Sequence, residues 1–116
     1  MKKMIIMASL VLGIGLLVFF MASIDSDLTF MRRLALMKES DQAILAKVAV
    51  EDNNAEIRRE AIKRLNDQDV LGRLAIEDKA DEVRKLAVES INDQVVLAKV
   101  ATESKDYGVR KTAIDK

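Results

Sequence analysis

The sequence predicts an all-α chain, an α-solenoid of short helical hairpins preceded by one apolar membrane helix. Three observations carry that prediction. Residues 4–24 hold no charged side chain, the remainder repeats itself every 26 residues, and each repeat contains two stretches with helical apolar spacing. Whole-chain averages conceal this division. Half of the 116 residues are hydrophobic, and 19 basic side chains balance 19 acidic ones.

The N-terminal stretch, MIIMASLVLGIGLLVFFMASI, is long enough as a helix to span roughly 30 Å, the thickness of a bilayer hydrocarbon core. Lys2 and Lys3 precede it, and Asp25 and Asp27 follow. Residues 1–24 are therefore expected to be a membrane anchor or signal segment. The apolar run exceeds the roughly 7–15 residues of a signal-peptide core. Small-residue cleavage positions are poor, because Phe20 stands two before Ala22 and Met21 two before Ser23. An uncleaved single-pass anchor is preferred, with a cleaved signal and a secreted domain as the alternative. The basic pair at the start favours a cytoplasmic N-terminus, although Arg32, Arg33 and Lys38 lie on the far side. The expected location is a bacterial cytoplasmic membrane, with the repeats outside the cytoplasm. Residues 25–30 form a short juxtamembrane linker, and Phe30 to Arg33 are suited to the headgroup region.

Residues 31–116 are one unit in several copies. Asp41, Asp67 and Asp93 align at the 26-residue shift, as do Gln42, Gln68 and Gln94, and Leu45, Leu71 and Leu97. Ala35, Ala61, Ala87 and Ala113 form a four-fold column. The first helix of a unit is expected over about 67–78, with Val70, Leu71, Leu74 and Ala75 on one face. The second is expected over about 80–92, with Val83, Leu86, Ala87 and Ile91 on its buried stripe. Asp41, Asp67 and Asp93 stand where N-caps belong, and Asn66 and Asn92 mark the breaks before them. A lone hairpin would leave half of its apolar face wet, so the units must stack.

With an Asp six residues before an Arg, an aliphatic just ahead of the Arg and an Ala three after it, the unit resembles HEAT-like repeats of the short bacterial type. The motif reads Asp52…Ile57-Arg58…Ala61 and Asp78…Val83-Arg84…Ala87. The resemblance covers about residues 31–116. It implies that Asp52, Asp78, Arg58, Arg84 and Arg110 form a structural ladder between hairpins. Ser104 replaces the Asp of the last unit, with Asp106 nearby. There is no Pro, and the unit is shorter than an ordinary HEAT repeat.

Composition excludes several chemistries. The chain has no Cys and no His, which removes disulfide frameworks, thiol catalysis and imidazole acid–base sites. Ser40, Ser90 and Ser104 have no obvious activating base. The repeated acidic pairs Glu51-Asp52 and Glu77-Asp78 recur once per hairpin, too far apart to share a cation. No catalytic residue, cofactor or metal is expected. A HEAT-like lyase or base-modifying activity is the enzymatic alternative, and it lacks a polar pocket in the sequence. Nucleic acid is not an expected partner, because Tyr107 is the sole aromatic of the repeats and residues 25–116 hold 17 basic against 19 acidic side chains.

One surface pattern remains. Arg33, Arg59, Lys85 and Lys111 form a basic column directly after the ladder arginines, and Lys47, Arg73 and Lys99 form another on the first helices. The first column is a candidate surface for an acidic protein segment or lipid headgroups. The simpler reading is a solvated face with Glu56–Arg59 and Glu82–Lys85 pairs at i, i+3. The expected function is a non-catalytic, membrane-anchored scaffold for an unidentified protein partner, with no small-molecule substrate. Its alternative is a secreted repeat domain that assists assembly of an extracytoplasmic complex.

Overall fold

The computed structural model describes residues 28–116, and the proposed membrane segment at 4–24 lies outside them. The chain divides between Arg32 and Arg33. Every regular element among the described residues is an α-helix, and none of those helices is long and apolar enough to cross a membrane.

Residues 28–38 are helical, and six shorter helices follow: α1 (Gln42–Glu51), α2 (Ala55–Ile62), α3 (Gln68–Glu77), α4 (Asp81–Ser90), α5 (Gln94–Glu103) and α6 (Tyr107–Asp115). Phe30 and Met31 are exposed, so Met31 departs from the buried column of Ile57, Val83 and Val109 that it begins in sequence.

Helix starts are set by short polar side chains. Asp41, Asp67 and Asp93 accept hydrogen bonds from first-turn amides of α1, α3 and α5, which otherwise have no intrahelical partner. Asn54 and Asp106 do the same for α2 and α6, whereas Ala80 begins α4 without a side-chain cap. The loop inside each hairpin is held by one repeated device. The side chains of Asp52, Asp78 and Ser104 accept the amide two residues on, from Asn54, Ala80 and Asp106.

The pairs α1–α2, α3–α4 and α5–α6 form three hairpins. Odd helices pack on odd helices, α1 on α3 and α3 on α5, and even on even, α2 on α4 and α4 on α6. Two helical layers result, with the core between them. Leu45, Ile57, Ile62, Leu71, Val83, Val88, Ile91 and Val100 are fully enclosed there. Small side chains allow close approach, since Ala49, Ala61, Ala75 and Ala87 are also fully buried. Val70 and Leu86, expected on the buried stripes, sit at the edge of that core.

Candidate functional site

Each junction between hairpins is pinned at both ends by polar side chains. At one end Arg58, placed in the first turn of α2, reaches the next hairpin. Its Nε and Nη2 donate to Asp78 at 2.9 and 3.0 Å, and its Nη1 donates to the carbonyl of Asp52 at 2.8 Å. Both side chains of this pair are nearly buried, at 3% and 5% exposure. The planar guanidinium matches a carboxylate with two parallel donors, so the fork fixes the junction geometrically.

Arg84 repeats the device one hairpin later on a different acid. Its Nη1 donates to the carbonyl of Asp78 at 2.7 Å, while Nε and Nη2 donate to Asp106 at 3.3 and 3.1 Å. Asp81 of its own helix also pairs with it. Where the sequence lacks the expected aspartate, at Ser104, the carboxylate has moved two residues along the loop. Asp106 combines two roles, capping α6 and receiving Arg84. Hydrogen bonding from the Val109 amide, with a further contribution from Arg84 and against the opposing effect of desolvation, holds the Asp106 carboxyl below its ordinary range. Desolvation works against the Arg84 charge, and the hydrogen bonds that Arg84 donates to Asp106 and Asp81 outweigh it, so the Arg84 pKa is raised.

Arg110 donates Nη1 to the carbonyl of Ser104 at 3.0 Å, and its guanidinium lies 5.9 Å from the centre of the Tyr107 ring. Asp52 closes its own loop through the Asn54 amide.

At the opposite end of the hairpins a glutamine column does similar work, and no role for it was apparent in sequence. Gln42 donates to the carbonyl of Arg64 and accepts from the amide of Asn66, in the linker between hairpins. Gln68 accepts from the amides of Asn92 and Asp93 in the following linker. The signal was present in the sequence as a column of identical glutamines next to the N-cap aspartates. Only the packed structure places the following linker against them.

The basic column is divided by its surroundings. Arg33 pairs with Glu56 across the hairpin boundary, which takes Glu56 from the expected i, i+3 pairing with Arg59. Arg59 is half-buried, and its Nε and that of Arg33 are enclosed without hydrogen-bond partners. Lys85 and Lys111 are exposed, and neither belongs to the ion pairs found among the described residues. The expected Glu82–Lys85 pair is likewise not formed. Lys47, Arg73 and Lys99 are exposed on the odd layer, so the two basic columns belong to different layers.

An open cleft of about 320 Å³ runs between α4 and α6, lined in part by Asp81, Lys85, Asp106 and Thr112. Both of its carboxylates are engaged by Arg84. Among the described residues no group of acidic side chains is arranged to hold a metal ion. Comparison with protein-family models, with curated proteins and with solved structures finds no match to this chain.

Proposed function

We propose that this chain is a non-catalytic HEAT-like α-solenoid that presents a binding or scaffold surface, held at a membrane by residues 4–24. The observation that carries the reading is the repeated junction. The same arginine position pairs with a carboxylate of the next hairpin in two successive units, on both oxygens of Asp78 and on one of Asp106. A stack of this kind keeps its outer faces rigid and available, while three ion pairs, Arg33–Glu56, Arg58–Asp78 and Arg84–Asp106, join successive units. The basic column of Arg33, Arg59, Lys85 and Lys111 is the proposed lateral partner surface. Lys85 and Lys111 are its exposed cations without an ion pair among the described residues, and an acidic protein segment is the chemistry they suit.

The anchor is tested by alkaline carbonate extraction of the native protein. Retention in the membrane pellet is the expected result, and release of full-length protein defeats the anchor. N-terminal sequencing separates the secreted alternative, for which a mature chain starting near Ile24 is the signature. The scaffold role is tested by crosslinking within the native membrane. A reproducible neighbour whose yield falls when Lys85 and Lys111 are reversed to Glu supports the lateral surface. Unchanged yield removes it.

A further inference from the structure

The helix over residues 28–38 exposes large apolar side chains where the later even-layer helices carry mostly polar ones. Phe30, Leu34 and Met37 follow the i, i+4, i+7 spacing of one helix face and are 58%, 42% and 54% exposed. At the 26-residue shift Phe30 shares its column with Glu56, Glu82 and Gly108, and Met37 with Lys63, Glu89 and Asp115. Leu34 stands with Glu60, Leu86 and Thr112, which are half-buried. On α2 two of these columns hold the ion pair of Lys63 with Glu60 at 2.9 Å, in the places of Met37 and Leu34. A flanking hairpin does not cover this face. α4 packs against α3 within its own hairpin and against α2 and α6 on either side, and its Glu82 and Glu89 remain exposed.

We infer that this helix lies in the membrane interface, with Phe30, Leu34 and Met37 set about 5–10 Å into the boundary between headgroups and acyl chains. The inference deepens the membrane-held reading and rests on its anchor at residues 4–24. Chain length selects the bilayer as the occupant. Ile24 ends the apolar run four residues before Leu28, a span of at most roughly 14 Å even for fully extended chain. The change from polar to apolar columns is also confined to the helix next to that run, since α2, α4 and α6 keep glutamate, lysine, aspartate or small residues at most of these positions. Lys38, exposed one turn beyond Leu34, suits the phosphate level above the boundary, where a long side chain rests on apolar surface and keeps its ammonium in water.

The chain has no cysteine, so a single substitution takes a nitroxide spin label at one site only. The test labels Phe30→Cys, Leu34→Cys and Met37→Cys, each in the whole chain reconstituted into liposomes of phosphatidylethanolamine and phosphatidylglycerol. Controls are Glu82→Cys and Glu89→Cys on α4 and Ile14→Cys in the apolar run. Power-saturation EPR compares collisions with oxygen, which partitions into lipid, against those with a water-soluble nickel chelate. Expected at positions 30, 34 and 37 is oxygen above nickel, at a depth shallower than position 14, with nickel above oxygen at 82 and 89. Nickel above oxygen at 30, 34 and 37, with position 14 in lipid, overturns the interfacial helix and leaves the anchor standing. Nickel access at position 14 as well overturns both. Lipid contact at position 30 alone marks only the end of the anchor and overturns the inference. Low access to both reagents at 30, 34 and 37 means that protein covers the face, from a partner, a second copy or residues 1–27, and overturns it too.

Discussion

Arg58 and Asp78 form a nearly buried ion pair with two hydrogen bonds between them, and a third runs from the same guanidinium to the Asp52 carbonyl, so the pair is costly to break from one side. Truncation by Arg58→Ala leaves the Asp78 carboxylate enclosed without its cation and is expected to destabilise the fold by about 3–5 kcal/mol, read from urea midpoints. Asp106 belongs to the same scale but differs in exposure, and its depressed pKa makes it a pH probe. A carboxyl whose folded pKa lies below its unfolded value of about 4 adds stability above that value, and the contribution disappears as pH falls through the folded pKa. Asp106→Asn should therefore be less stable than the parent at pH 6, with the gap narrowing below about pH 4. A gap that stays constant from pH 6 to pH 2.5 would show that the carboxylate charge is not the stabilising feature. The arginine and aspartate columns were legible as a repeat, and so was the missing acid at Ser104. The transfer of its role to Asp106 depends on how far a guanidinium reaches in the folded loop, which spacing alone does not give.

Between helices, side-chain size decides the approach. Gly72 lies mid-helix in α3, where an alanine would ordinarily gain about 1 kcal/mol of helix propensity. Here the added Cβ would meet the Val96 side chain of α5, and overpacking of that kind costs about 1–3 kcal/mol. Gly72→Ala is expected to lower the melting temperature, and Val96→Ala in the same chain to recover part of the loss; additive losses would remove the clash as the cause. Caps offer a gain instead. The column Asn54, Ala80, Asp106 starts the three even helices, and Ala80 alone supplies no side-chain bond at an extended backbone suited to a cap. Ala80→Asn should stabilise the protein by about 1 kcal/mol, measured by thermal or chemical unfolding. Helix positions and caps followed directly from apolar spacing and the aspartate column, because both are local. Leu86 and Val70, equally apolar in sequence, lie at the rim because burial depends on how a neighbour's helix crosses above them.

Across the whole stack, each hairpin meets only those beside it, so stability should vary with position. The α3–α4 hairpin is covered on both sides, whereas α5–α6 has one described neighbour. Amide hydrogen exchange should be slowest in α3 and α4 and faster in α5 and α6, with sub-global opening starting at the Ile114 face. Equal protection along the stack would mean that the three hairpins unfold as one unit.

The sequence by itself determined the all-helical class, the 26-residue unit, the hairpin within it and the aspartate N-caps, since periodicity and capping act within a few residues. It also marked the columns from which the junctions are built. Tertiary structure decided what each column meets. Asp106 in place of the absent aspartate, the glutamines on the following linker, Glu56 drawn to Arg33, and Ile114 left exposed where Val88 is covered all depend on one hairpin lying against another. Those contacts join residues more than 20 positions apart, and their partners are fixed by the angle and separation of packed helices, which local spacing does not encode.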